Sequence, residues 1–147
     1  NEVLQSQQSG AVFYSPQFIK DNPKAAFGFM KAYLKGVRMY NKALKDKTLM
    51  QDVVLQLKKH VKIEDEALWY KLKPVGLKNN GELDKKSIRE DLKWYNEHGY
   101  LAKIPDESSY LAEAIAKKAS AELDTELNNV DKVEVKKSNS KKVKSKK

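Results

Sequence analysis

Cysteine is absent from this sequence, which removes disulfides, thiolate nucleophiles and cysteine-based metal sites together. Histidine is scarce as well: His60 and His98 lie far apart, and neither has a second ligand type at helical i, i+4 spacing, so a zinc site has no donor set to build on. No apolar run approaches the roughly 18 residues needed to span a bilayer. No Gly-x-Ser-x-Gly elbow presents a nucleophilic serine. The opening residues, Asn1-Glu2-Val3-Leu4-Gln5, carry no basic n-region, apolar h-region or small-residue cleavage site, so either a leader has been removed or the chain is a piece of a longer one. The expectation is a protein with no catalytic residue, no metal and no cofactor.

What is present is a chain of 147 residues, enough for one domain with a core, with 40% hydrophobic and 33% charged residues. Its net charge of +9 would suggest nucleic acid or an anionic membrane if it covered a folded face. Most of it does not. Residues 131–147 hold eight lysines against two acids and so supply +6 of that charge. The basic signal is a tail, and a run of charge is ordinarily a solvated segment.

Residues 11–14, Ala-Val-Phe-Tyr, are a short apolar run of strand-forming types between Ser9-Gly10 and Ser15-Pro16, and are expected to form a buried strand. Gln17 to Asp21 should be a turn or a brief helical piece. A helix capped by Asp21 or Asn22, with Pro23 at its first position, should run to about Leu44, with Phe27, Met30, Leu34 and Val37 facing inward. Gly28 and Gly36 within it point to another backbone packed close by. Thr48 and Gln51 fit a capping box for a second helix with Leu49, Val53, Leu57 and Val61 inside. A third helix is expected from Glu64 to about Leu72, stopped by Pro74, and a loop from Lys73 to Leu83. A fourth begins after Asp84, carries Ile88, Leu92 and Tyr95 inward and stops at Gly99. A last one opens at Pro105-Asp106 with Leu111, Ile115 and Ala119 as its stripe to about Leu123. Beyond Asp131 too little apolar surface remains to offset the entropy of ordering. A lone strand cannot satisfy its own backbone groups in a core, so its partners are expected outside this chain.

Apparent chemistry dissolves on inspection. Gly76-Leu77-Lys78-Asn79-Asn80-Gly81 has the glycine spacing of a phosphate loop, but Glu82-Leu83 stands where lysine and a hydroxyl residue are required, so a turn is expected. Glu64, Asp65 and Glu66 are consecutive and point in different directions on a helix, where they suit its dipole rather than acid–base work. The aromatics are mostly core, but Tyr14, at a strand end, stands where open α/β sheets place their ligands.

Taken in order, Phe13-Tyr14-Ser15-Pro16-Gln17-Phe18, Asn22-Pro23, Phe29-Met30-Lys31-Ala32-Tyr33-Leu34-Lys35-Gly36-Val37-Arg38-Met39-Tyr40-Asn41, Leu68-Trp69-Tyr70, Gly81-Glu82-Leu83 and Asp91-Leu92-Lys93-Trp94-Tyr95-Asn96-Glu97-His98-Gly99-Tyr100 resemble one family. It is the sulfonate, nitrate and thiamine-pyrimidine-precursor group of ABC-transporter substrate-binding proteins, with the likeness running from about Gly10 to about Ala119. The resemblance implies the C-terminal portion of a two-lobed α/β, type II periplasmic-binding-protein-like fold, mostly helical in this fragment, with one strand and about five helices from lobe one. The divisions expected are residues 1–20 as crossover segment and sheet strand, 21–123 as the helical part of lobe one, and 124–147 as a basic tail without fixed structure.

The function implied is that of an extracytoplasmic solute-binding component of an ABC importer, not an enzyme, in the periplasm or anchored as a lipoprotein at the cell surface. Its partners would be a small organic or anionic solute, the permease and ATPase subunits, and the missing N-terminal part of the same protein, with no specific nucleic acid. Tyr14 and Ser15 are the candidate ligand-binding residues, the ring stacking on a flat ligand and the hydroxyl hydrogen-bonding. Two alternatives stand beside this: a small basic helical nucleic-acid-binding protein, and a thiamine-pyrimidine-precursor enzyme of the same fold.

Overall fold

The computed structural model describes residues 7–65, 67–71 and 76–144, with 128 and 130–144 as backbone only. Among the described residues seven helices follow one another: α1 (Pro16–Asp21), α2 (Pro23–Ala43), α3 (Lys47–Leu57), α4 (Leu68–Lys71), α5 (Lys85–Glu97), α6 (Glu107–Tyr110) and α7 (Glu113–Lys144). The described chain is mostly helical, and no strand occurs among the described residues. None of its helices is long and apolar enough to cross a membrane.

The expected strand at residues 11–14 does not form. The segment is irregular, and among the described residues none of its backbone groups has a hydrogen-bond partner. The physical reason is the one the sequence already contained: a strand exists only as part of a ladder, and the described residues offer no second strand to complete it.

The core is a seam between α2 and α7. Apolar residues of α2 recur at helical spacing, burying Ala26, Met30, Leu34 and Val37, and α7 answers with Ala116, Ala119 and Leu123. The alanines matter because a helix lined with small side chains lets its neighbour approach closely. Leu34 and Ala119 are wholly buried, and Tyr14, Phe27, Tyr33 and Ile115 close the rim. Pro23 opens α2 where a missing N–H costs nothing, although Asn22 makes no side-chain cap bond. Burial continues along α2 to Ala43 and into α3 through Val53 and Val54, and α1 and α3 both pack on α2.

Several expected boundaries move. The cap of α3 is Asp46 rather than Thr48: its carboxylate accepts from the N–H groups of Thr48 and Leu49 at 2.9 and 3.3 Å. An ionised carboxylate one residue ahead of the first turn outcompetes a hydroxyl inside it. Val61, expected inside, lies beyond the end of α3 and is exposed. Glu64 and Asp65 precede α4 instead of opening it, while Glu66, Leu72 and Pro74 lie outside the described residues. The last helix is interrupted, since Leu111 is extended (φ −103°, ψ 110°) between α6 and α7. The backbone of α7 then runs on to Lys144, so the division expected at 124 falls within a helix.

The ends of α5 match expectation in detail. Asp84 accepts from Ser87 N–H at 3.1 Å, and Gly99 adopts φ +77°. Gly99 N–H bonds to Asn96 C=O and Tyr100 N–H to Tyr95 C=O, the paired bonds that glycine permits at a helix C-terminus. Tyr95, expected inside, is half exposed, as is Trp94.

Candidate functional site

Tyr14 and Ser15 sit where the irregular segment 11–14 gives way to α1. Ser15 has extended backbone angles and is the N-cap: its Oγ accepts from Phe18 N–H at 3.0 Å, which satisfies one of the donors that a helix start leaves free. Pro16 follows at the first helical position and needs no N–H partner. The Ser15 hydroxyl hydrogen is left to donate outward, since the side chain is exposed and its capping role uses only the oxygen.

Tyr14 is a strut. Its hydroxyl donates to the carbonyl of Ala26 in α2 at 2.9 Å, its ring stacks on Phe18 and meets Phe29 edge-on, both with centroids 6.0 Å apart, and burial pushes its phenol above the usual value of 10.0. The sequence thus places both candidate residues side by side, and the structure brings them to one junction. Each already holds the fold together there. What remains for a ligand is the exposed side of the aromatic group and the Ser15 O–H.

The phosphate-loop look-alike is a turn held from below. Asn41 donates its amide to the Leu77 carbonyl at 2.8 Å and to Asn79 Oδ1 at 2.7 Å, and Arg38 Nε donates to the Asn79 carbonyl at 3.1 Å. Gly81 adopts φ +70°, and a Cβ there would stand 2.9 Å from Leu34 Cδ2 in the middle of the seam. Only glycine gives the turn this approach without strain. The loop therefore offers carbonyls to α2 rather than a cradle of N–H groups to an anion.

Arg38 is the residue that motif reading overlooks. Besides Asn79, its guanidinium reaches Ser120 Oγ at 2.9 Å, the Ser120 carbonyl at 3.3 Å and Asp124 at 2.9 Å, so one side chain joins α2, the turn and α7. The sequence does carry a signal for it: Arg38 and Arg89 are the only arginines in a chain whose other cations are all lysine. The planar fork of arginine serves several acceptors at once, as an ammonium does not. Arg89 reaches Glu107, 2.8 Å away.

Charge pairs complete the frame. Lys85 reaches Glu113 at 2.9 Å and Glu107 at 3.4 Å, and Lys31 reaches Glu122 at 2.6 Å and Glu126 at 2.7 Å. Hydrogen bonds from Lys85 and then Lys117 hold Glu113 below its ordinary range, the bond from Arg89 does so for Glu107, and the bond from Lys31 for Glu126. These are largely surface pairs, Lys31 joining α2 to α7 and Lys85 joining α5 to α6 and to the start of α7.

His98 stacks on Trp94 with centroids 4.2 Å apart and lies 2.9 Å from the Trp94 carbonyl through Nδ1, while His60 is exposed. Among the described residues, no three of the metal-binding residue types come together. Compared with known proteins, the chain matches no family model, no curated protein and no solved structure.

Proposed function

We propose that this chain is the C-terminal portion of an extracytoplasmic solute-binding component of an ABC importer, returning into lobe one of a two-lobed type II α/β fold. The observation that carries this reading is the uncovered side of the molecule. The strand-forming segment 11–14 has no partner for its backbone among the described residues, and Phe13 is 86% exposed. On α2, the glycines expected to face another backbone face open space, with nothing within 4 Å of a Cβ placed at Gly28 or Gly36. Ala25 and Ala32 continue that small-residue side, and Phe29 and Met39 beside it are about half exposed. A helical layer built to rest on a sheet would leave these features bare when the sheet is elsewhere.

The ordered motifs add support because each shapes the backbone at a defined point. Asn22-Pro23 opens α2, Gly81 lets its turn touch Leu34, and Gly99 closes α5. In this reading the rest of both lobes is contributed by residues ahead of Asn1, and solute affinity comes from contacts that exist only when the lobes close. Tyr14 would offer its ring, since its hydroxyl is engaged with Ala26, and Ser15 its free O–H. The permease and ATPase subunits are the protein partners. No reaction is assigned, and the chain acts by binding.

The test uses the longest natural form of the protein, titrated with pyrimidines, alkanesulfonates and nitrate and followed by calorimetry. One class should bind, with Tyr14→Ala and Ser15→Ala each weakening it by about tenfold, equivalent to ~1.4 kcal/mol. Failure to bind any of them, with no permease or ATPase gene beside its own, would contradict the reading.

A further inference from the structure

We infer that Asn80 is a site of spontaneous self-modification: the backbone nitrogen of Gly81 displaces its side-chain amide, and the isoaspartate that results unseats the α2–α7 seam. The inference stands apart from the importer reading, because it uses only the turn at residues 78–81 and the helices that hold it.

The first ground is sequence. Of nine asparagines, Asn80 alone is followed by glycine. An asparagine can close a five-membered ring onto its successor's backbone nitrogen, and a successor without Cβ leaves that nitrogen open to approach. Elsewhere the approach is hindered. Asn22 precedes proline, which has no N–H to give up, and Asn41 and Asn96 lie in α2 and α5, where the following N–H belongs to the helical ladder.

The second is geometry. Asn80 is exposed, and its Oδ1 accepts from the N–H of Glu82 at 3.1 Å, which folds the side chain back along the Gly81 peptide. Negative charge develops on that oxygen when Cγ becomes tetrahedral, so the Glu82 N–H already faces the place where it forms. One bond resists: Gly81 N–H donates to the Lys78 carbonyl at 2.9 Å and must let go first. The Gly81 nitrogen then gives its proton to hydroxide from solvent and attacks Cγ. The bond from Cγ to Nδ2 breaks, and ammonia leaves with a proton taken from water. A further water opens the five-membered imide at one carbonyl or the other, giving aspartate or isoaspartate, and nothing is oxidised or reduced.

The third is consequence. Isoaspartate runs the main chain through its own side chain and so sets one extra carbon between the Cα of residue 80 and the Gly81 nitrogen. Gly81 has little slack to absorb it, since an added Cβ would stand 2.9 Å from Leu34 Cδ2 and 3.5 Å from Ala116 Cβ. The same turn presents the Leu77 and Asn79 carbonyls to Asn41 and Arg38. A displaced turn therefore disturbs an anchor of Arg38 and the wall around Leu34 together, whereas ordinary aspartate at this position leaves the main chain as it was.

The test holds the 147-residue chain in mildly alkaline buffer and follows it by peptide mapping with mass spectrometry. Asn80 should lose ammonia about tenfold faster than any other asparagine, and Asn80→Ser, which keeps an acceptor for Glu82 N–H but cannot close the imide, should abolish that reaction. The isoaspartate form, separated by chromatography, should melt about 5 °C below the fresh chain. Asn80→Asp, with the same charge on an unaltered main chain, should melt within about 1 °C of the fresh chain. A different asparagine reacting first, or an isoaspartate form that melts together with Asn80→Asp, would overturn the inference.

Discussion

The α2–α7 seam and the 11–14 edge lie on the same small molecule and are built in opposite ways. At the seam every group has an answer: Leu34 is wholly buried, Gly81 seats its turn against it, and Arg38 binds α2, turn and α7 together. At the edge the chain is held at both ends and otherwise left bare, with Phe13 almost fully in solvent. The difference separates what this chain stabilises by itself from what it leaves uncovered. Isolated apolar side chains on a surface are ordinary, but an irregular, uncharged segment whose backbone is unpaired among the described residues, beside a bare helix side, is not.

The strongest way to break the comparison is to attack the seam. Leu34→Ala removes the largest fully buried side chain among the described residues and should cost about 3 kcal/mol in chemical denaturation, because a pocket walled by Met30 and α7 closes only partly. Arg38→Met keeps much of the bulk but abandons three carbonyl or hydroxyl acceptors and Asp124, and should cost about 2 kcal/mol by the same measurement.

Smaller effects follow from the flanking ion pairs. Glu107, Glu113 and Glu126 are held below their ordinary value of 4.5 in the folded chain. Their contribution is therefore present above that pH and is lost as pH falls through the lowered values. Lys31 and Lys85 are held above 10.5, chiefly by hydrogen bonds from Lys31 to Glu122 and Glu126 and from Lys85 to Glu113. Their contribution persists below that pH and is lost as it rises through the raised values. A denaturation midpoint measured against pH should form a plateau that falls at both ends, and about 1 M salt should flatten it. The smallest effect sharpens the contrast: Phe13→Ser should alter monomer stability by less than about 0.5 kcal/mol, since the side chain touches little that folding buries.

Helices are legible in the sequence where punctuation is strong. Pro23 fixes the start of α2 and Gly99 the end of α5, because proline and positive-φ glycine act locally and leave their mark in the sequence itself. The short helices are harder. Nothing in the apolar stripe of Leu111, Ile115 and Ala119 announces that Leu111 is extended, since the break depends on how α6 and α7 meet the rest. Residues 11–14 carry every local preference of a strand and form none, because pairing is a property of two segments and the sequence pattern reports one. Arg38 escapes pattern reading for a related reason: its acceptors lie about 40 and 80 residues away, beyond any spacing rule. Tyr14 and Ser15 stand out as neighbours in the sequence, but their roles as strut and cap depend on Ala26 and Phe18 being placed by the fold.

Hydrogen exchange resolved by residue measures both regions in one experiment. Amides 30–37 of α2 should exchange only on global opening, while amides 11–14 should exchange as fast as an unstructured peptide. Protection at 11–14 comparable to that of α2 would mean that this segment is already paired within the chain, and would contradict the account.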